Sequence, residues 1–452
     1  MLKNIHSLYM KNYFLIGLVV LVFFSCRSSK EDRPEATISD DSLFTLVQYR
    51  TFQYFWDGAE PVSGAAPERI HLDNDYPDHD KSVVTSGGTG FGIMAILVGI
   101  ERGFITRSEG EQRLTKLVDW LSKADRFHGA WPHWMYGETG KVKPFSKNDN
   151  GGDLVETAFL VQGLLCARQY FKDGNAQEQA LAQKMDTLWR EVEWDWYRND
   201  QKNVLYWHWS PDKAWTMNFP LEGYNECLIT YVLAAASPTH TIPPEVYHEG
   251  WARNGAIRND SAHQQYGLHL DLKHNGAAQY GGPLFWSHYS YLGLDPRKLK
   301  DAYADYWQHN VNHTLINYQY CVENPLGYKG YGPHCWGLTA GYSVNFYAAH
   351  SPNEDKGVIT PSAALSSFPY TPRQSQAAMR YFYDSLAPGI LGDYGFYDGF
   401  SEHVNWQKPW YLAIDQGPIV VMMENHRSGL LWNLFMSCPE VKQGLTKLGF
   451  TY

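Results

Sequence analysis

Residues 147–170 read KNDNGGDLVETAFLVQGLLCARQY, and the two halves of this stretch decide the fold. The first half is an acidic turn softened by glycine, with Asp149, Gly151, Gly152 and Asp153; the second is a helix carrying Glu156. From Leu154 to Cys166 that helix is apolar on nearly every side. A surface helix shows an apolar stripe, so a helix apolar all round must be packed all round. Its polar first turn then stands at the rim of a buried wall, which is how a cleft is made. Three other stretches repeat the arrangement: Ser86-Gly-Gly-Thr-Gly90 before FGIMAILVGI, Gly223-Tyr-Asn-Glu226 before CLITYVLAAA, and Asp415-Gln-Gly-Pro418 before IVVMMEN.

One-sided helices alternate with these apolar ones, at 106–124, 175–193, 298–320 and 372–386. The spacing also predicts helices at 40–57, 243–252, 284–292, 416–436 and 439–447, with the third apolar helix spanning 222–236. Apolar helices alternating with amphipathic ones mean an inner ring wrapped by an outer ring. The prediction is an all-α (α/α)6 toroid. No fixed repeat period is visible, which excludes a solenoid. Strand signals are confined to 204–209, 214–219 and 394–398, the marks of short β-hairpin loops at the cleft face. Inner helices of a toroid run parallel, so their N-termini share one mouth. Thr89, Gly90, Asp149, Asp153, Glu156, Tyr224, Asn225, Glu226 and Asp415 are expected to converge there.

Each of these acids also has a purely structural reading. Asp153 and Glu156 match a capping box, Asp415 suits an N-cap, and Glu226 in a first turn gains from the helix dipole. Capping alone does not explain why every rim also carries glycine, which suits close approach of a ligand to the backbone. Two carboxyls across a cleft are what glycosidic cleavage needs, one to protonate the leaving oxygen and one to activate water or attack. A helix N-terminus lowers a carboxyl pKa, whereas a general acid needs it raised. Crowding of Asp149, Asp153 and Glu156, or burial of Glu226 against Tyr224, Cys227 and Leu228, has to outweigh the dipole.

The chain of 452 residues is 44% hydrophobic, enough for a large core, and its 17 Trp, 31 Tyr and 21 Phe give an aromatic excess suited to stacking on sugar faces. Loops between helices carry Trp131, His133, Trp134, Trp286, His288, Trp336, Asp393 and Tyr394, the expected sugar-binding side chains. A net charge of −10 argues against nucleic acid or an anionic membrane surface as partner. The histidines lack metal-site spacing, so no metal and no cofactor are expected. The loop 58–85 holds Asp73, Asp75, Asp78, Asp80, His71 and His79 without the EF-hand order, and reads as solvated. Cys166, Cys227, Cys321, Cys335 and Cys438 form no C-x-x-C pair and read as buried free thiols.

At the N-terminus, Lys3 and Lys11 precede an apolar run at 13–24, which is followed by Ser25-Cys26. Roughly a dozen apolar residues make a signal-peptide core, too short to span a bilayer. Cys26 is expected to become the lipidated first residue, although Phe23 departs from the usual lipobox leucine. Residues 1–26 then form the signal, 27–39 a polar tether and 40–452 a single catalytic domain, expected to be monomeric and lipid-anchored at the outer membrane of a Gram-negative cell.

The blocks SGGTGFGIMAILVGIERGFITR (86–107), NGGDLVETAFLVQGLL (150–165), GYNECLITYVLAAASPTH (223–240), PLFWSHYSYLGLDPR (283–297), GDYGFYDGFSE (392–402) and AIDQGPIVVMMENHRSGLLWNLFMS (413–437) resemble the glycoamylase-like domain of glycoside hydrolase family 144. The likeness covers roughly 40–452. It implies an (α/α)6 barrel that hydrolyses β-1,2-glucan or its oligosaccharides with inversion and without metal. The family's functional acids fall on Asp149, Asp153, Glu156, Glu226 and Asp415. On that footing Glu226 is the expected general acid and Asp153 the group that orients water, with Asp415 the rival for that task. Ser29-Lys30-Glu31-Asp32 also resembles the surface-export tags of Bacteroidetes lipoproteins. Two other readings compete: a polysaccharide lyase, for which only Arg69, Arg102 and Arg107 stand near a rim, and a non-catalytic glycan-binding lipoprotein.

Overall fold

A computed structural model describes residues 38–277 and 279–452. The expected signal, Cys26 and nearly all of the tether lie outside the described residues, as do the side chains of Asp78 and His79.

Six buried segments form the inner ring. They are α-helices at Ser86–Glu101, Leu154–Phe171, Leu228–Ala236, Pro361–Leu365 and Ala413–Arg427, together with two successive 3-10 turns at Leu284–Ser287 and Tyr289–Tyr291. Neighbours in the ring pack in chain order, and the helix at Ala413–Arg427 closes it by lying against both Ser86–Glu101 and Pro361–Leu365. The 3-10 segment joins the ring through Tyr370 Oη, which donates to Ser287 O at 2.9 Å, and through the pairing of His288 Nε2 with Ser367 Oγ at 3.0 Å. Around it lie one-sided helices at Asp40–Trp56, Arg107–Leu121, Ala176–Arg190, Tyr306–Glu323 and Pro372–Tyr381. The all-α toroid expected from the alternation is the architecture found.

Glycine sets the closeness of the ring. A Cβ on Gly90 would stand 2.2 Å from Phe159 O, and one on Gly163 would stand 2.2 Å from Gly90 O, so the first two inner helices cross backbone to backbone. Gly90 therefore serves helix packing, not ligand approach.

Several elements differ from the sequence reading. The helix expected at 222–236 begins only at Leu228: Gly223 takes φ +77°, and the Asn225 side chain accepts from Cys227 N at 2.9 Å, closing a turn that holds Glu226 ahead of the helix. Asp415 is not an N-cap but the third residue of its helix, whose N-cap is Leu412. The segment 243–252 contains a π-type turn at Val246–Trp251, and 214–219 forms turns instead of a strand. The long amphipathic helix starts at Tyr306 because Asp305 caps it, accepting from Gln308 N.

Short strands decorate the mouth. Val83–Thr85, Trp134–Tyr136 and Val142–Lys143 make one three-stranded sheet, and Ala340–Ser343 pairs with Phe346–Ala349 as a hairpin. Arg69–His71 pairs antiparallel with Trp410–Leu412, far away in sequence. The loop 58–85 is therefore part of the wall and not a solvated excursion: His71 and Asp80 are buried, Asp80 within 3.4 Å of the Arg69 guanidinium. Asp73 accepts from Trp410 Nε1 at 2.9 Å. All five described cysteines are free and buried. No helix among the described residues is long and apolar enough to cross a membrane.

Candidate active site

Glu156 and Glu226 open into one cleft of about 320 Å³ at the N-terminal mouth of the ring. Its walls are aromatic: Trp134, Phe145, Phe159, Trp207, Phe285, Tyr289, Tyr342 and Tyr347. A more open groove of about 550 Å³ lies on the other side of Arg69, which borders both, but it contains none of the five expected acids.

Glu156 sits in the first turn of its helix, where the dipole should hold it ionised. Burial overrides this and, with Asp153 and Glu68 nearby, pushes its carboxyl up to about 7 against the opposing influence of His133. Its Oε2 accepts from Gly87 N at 2.8 Å and from Thr85 Oγ1 at 3.3 Å. The side chain thus bridges two inner helices and does not return to cap its own. Glu226 escapes the dipole by preceding its helix. Burial, aided by Glu156 and Asp153, pushes it also up to about 7, so it keeps a proton near neutrality.

Asp153 behaves differently. Its Oδ1 accepts from Val155 N and Glu156 N at 3.0 and 2.9 Å, a true N-cap. Its Oδ2 faces His133 Nδ1 at 3.2 Å. Burial disfavours charge on His133, yet Glu156 and Asp153 together raise it to about 10, so the ring is an imidazolium. Burial would raise Asp153 as well, but His133 and His208 overcome it and hold the carboxylate below the usual range. Asp149 stands 3.3 Å from His208 Nδ1. His133, Asp149 and Asp153 bring ligand-type atoms within 4.8 Å of one another. A ring protonated up to about 10 spends its nitrogens as donors, so the group fits an ion pair better than a metal ligand set.

On the neighbouring wall, Asp415 accepts from Ser362 Oγ at 2.7 Å, and Asp398 accepts from Tyr342 N at 2.5 Å. Burial and Asp398 push Asp415 well above the carboxylate range, while burial pushes Asp398 up to about 6. Asp398 and Glu68 were not singled out in the sequence. Asp398 lies within GFYDGF, where no period distinguishes it, and Glu68 lies in the loop read as solvated.

Several expected sugar-binding residues belong to the core instead. Trp131 is fully buried, its Nε1 donating to Leu121 O at 3.2 Å, and Trp336 is fully buried with its Nε1 donating to Gln374 O. Tyr224 is buried with its hydroxyl near Tyr291 and Asn310, and His288 is held by Ser367. Thr89 donates to Thr85 O and accepts from Ala66 N, both within the scaffold. Asn225 closes its own turn. Trp286 covers Gly282 and His274, leaving its neighbour Phe285 to line the cleft. Tyr394 lines the groove beyond Arg69, and Asp393 is exposed. Of the arginines considered for a lyase, Arg102 pairs with Glu424 and Arg107 with Glu178, which leaves Arg69 as the one that reaches the cleft. His133 and Trp134 stand where expected.

The family model Glycoamylase, described as a glucoamylase, matches residues 218–439. An endo-β-1,2-glucanase from Chitinophaga pinensis, solved with sophorotriose and glucose, is 66% identical over 92% of this chain and 99% of its own, with a TM-score of 0.90. A curated protein from Parabacteroides distasonis, an exo-β-1,2-glucooligosaccharide sophorohydrolase acting at the non-reducing end, is 46% identical over 91% of this chain. The present chain spans 58% of that relative's length. An endo-β-1,2-glucanase from Talaromyces funiculosus shares the fold at a TM-score of 0.62 with 10% identity.

Proposed function

The chain belongs to the glycoamylase-like glycoside hydrolases of family 144, and from that membership we propose that it hydrolyses β-1,2-linked glucan with inversion at the anomeric carbon. The observation that carries the reading is Glu226, a carboxyl open to an aromatic cleft and kept protonated up to about 7 by burial. Such a group can donate its proton at neutral pH, which an ordinary glutamic acid cannot.

In this reading Glu226 protonates the glycosidic oxygen as the bond from C1 breaks, and its electron pair leaves with that oxygen. Water attacks C1 from the opposite face. Asp153 does not suit the task of accepting the water's proton, because its oxygens are already committed to two backbone amides and an imidazolium. We assign that proton to Asp415 in its ionised form, reached through an intervening hydroxyl: burial raises its affinity for a proton, and its Oδ2 is buried with no hydrogen-bond partner. Glu156 holds a sugar hydroxyl, and the rigid pair of His133 and Asp153 keeps it in place.

Cleavage within the chain is the favoured mode. The endo-acting relative from Chitinophaga matches almost end to end, and the groove beyond Arg69 leaves room for a chain to continue. Incubation with linear β-1,2-glucan tests this: early products of mixed length are expected. Sophorose as sole early product would move the reading to chain-end release, and no hydrolysis at all would remove it. The anchor at Cys26 is part of the same reading, placing the enzyme at the outer membrane; Cys26→Ser should abolish incorporation of labelled fatty acid.

A further inference from the structure

Glu68 brings to the cleft a carboxyl that receives no hydrogen bond from the described residues. Its backbone is fixed on both sides: its N–H donates to Val83 O at 2.9 Å, and its carbonyl accepts from Ala413 N at 3.1 Å. These bonds seat it over the seam where the last inner helix, Ala413–Arg427, meets the first, Ser86–Glu101. The side chain lines the cleft and is 9% exposed. Its Oε2 is buried without a hydrogen-bond partner. Its Oε1 stands 3.9 Å from Arg69 Nη2, an ion pair too long to be a hydrogen bond. Arg69 has other support, with Asp80 and the Tyr342 hydroxyl each at 3.4 Å.

Buried polar groups are normally paired, and an acceptor left unpaired in a dry site costs stability that a ligand can restore. Its neighbours in the site show the contrast. Glu156 takes two donors from the scaffold, and Asp153 takes two amides and an imidazolium. Glu68 takes none. As the ion-pair partner of Arg69 it has only acceptors to offer, so what it lacks is a donor. Sugar hydroxyls are such donors, and Trp134, Tyr342 and Tyr347 on the same cleft can hold a sugar's apolar face.

We propose that Glu68 is a substrate-binding residue: it accepts a hydroxyl hydrogen bond from the glucosyl unit lying against the wall across from Glu226. This rests on the glucan hydrolysis proposed above. Glu226 precedes the third of the six inner segments and Glu68 overlies the junction of the sixth with the first, so the two face each other across the ring. Glu68 holds one side of the bound sugar while Glu226 protonates the bond from the other. An internal unit of a β-1,2-linked chain keeps its hydroxyls at C3, C4 and C6, so every such unit has a donor to give at this wall. With Glu156 and Glu226, the same carboxylate disfavours an anionic sugar, which makes the ligand a neutral glucan.

The test uses the full chain carrying Glu226→Gln, so that a linear β-1,2-glucooligosaccharide binds without being cut. Adding Glu68→Met should weaken its binding in titration calorimetry by about 10–100-fold, the weight of a hydrogen bond to a charged group. Affinity within about twofold of the parent overturns the proposal. A direct contact leaves a second mark. Among oligosaccharides deoxygenated singly at C3, C4 or C6, one that binds the parent more weakly should cost Glu68→Met nothing further. Losses that add at every position would mean that Glu68 acts from a distance, and overturn the contact.

Stability without ligand separates binding from support. Methionine fills the same space without a charge, so Glu68→Met should melt within about 2 °C of its parent or above it. Glu68→Gln keeps the shape and guards against a failed fold; in otherwise wild-type enzyme it should raise KM several-fold while changing kcat less. A lower melting temperature for Glu68→Met with an unchanged KM for Glu68→Gln would make Glu68 the counter-ion of Arg69 and overturn the proposal. The activity and the contact fail separately. Hydrolysis of β-1,2-glucan with unchanged binding in Glu68→Met removes Glu68 and leaves the activity. A parent that ignores β-1,2-glucooligosaccharides but binds another neutral glucan, with Glu68→Met losing that binding, removes the linkage and leaves Glu68 as a sugar-binding carboxylate.

Discussion

Gly87 N–H donates to Glu156 Oε2 across 2.8 Å, so the first turn of one inner helix holds the carboxyl of the next. A Cβ at Gly87 would lie 2.5 Å from that same oxygen. Gly87→Ala should therefore displace Glu156 while changing little else on the ring. A misplacement of about 1 Å at a reacting centre can cost about 100-fold in rate. We expect kcat for β-1,2-glucan to fall by about that factor with only a small loss in melting temperature. Steady-state kinetics and calorimetry on the same preparation decide it, and an unchanged kcat would show that Glu156 needs no such placement.

Glu226→Gln removes the proton donor but keeps the side-chain volume. General acid catalysis is worth about 10²–10⁴-fold, so kcat should drop within that range while substrate still binds. The wild-type profile carries a matching signature. Glu226 works in its protonated form and is pushed up to about 7, so activity should fall as pH rises through about 7. The glutamine variant should show no alkaline limb there, and measuring residual activity from pH 5 to 9 checks both statements at once.

The ion pair between His133 and Asp153 makes a prediction about stability. The folded pKa of His133, about 10, lies above the unfolded value near 6.5. Its contribution is therefore complete below about 6.5 and is lost as pH climbs toward about 10. His133→Gln should be less stable than wild type at pH 6, by about 3 kcal/mol if Asp153 stays charged and loses its partner. The gap should narrow by pH 10. Denaturant unfolding at the two pH values tests the sign, and a gap that widens with pH would refute the imidazolium.

The inner helices were legible because total apolarity admits only a buried position, and the acids beside them followed from the parallel direction of the ring. Glu156 and Glu226 follow from that geometry alone. What escaped lies where distant chain segments meet. Glu68 and Arg69 enter the cleft because Arg69–His71 pairs with Trp410–Leu412, and no local pattern announces a partner more than three hundred residues away. Asp398 escaped for a like reason, its carboxyl being held by Tyr342 N, 56 residues earlier in the chain. The segment 284–292 looked helical by composition, yet it runs as two 3-10 turns after Pro283, whose φ of −60° and extended ψ hold it outside the helix.

An aromatic residue in a loop has no periodicity to fix the side it faces. A ring in a loop can turn inward as readily as outward, and the partner of its N–H tells which. Trp131 and Trp336 have theirs bonded to backbone carbonyls inside the core. Trp207 instead lines the cleft, packed edge-on against the exposed Phe219, and Phe145 lines it half-exposed beside His133. Trp207→Ala and Phe145→Ala should therefore weaken glucan binding, raising KM several-fold, since stacking rings on a sugar is worth about 1 kcal/mol each. Trp131→Ala and Trp336→Ala should cost about 3–5 kcal/mol of stability with KM nearly unchanged in the folded fraction. Pairing titration calorimetry on a β-1,2-glucooligosaccharide with denaturant unfolding sorts the four. If Trp336→Ala weakened binding as much as Trp207→Ala without loss of stability, the assignment of Trp336 to the core would be wrong.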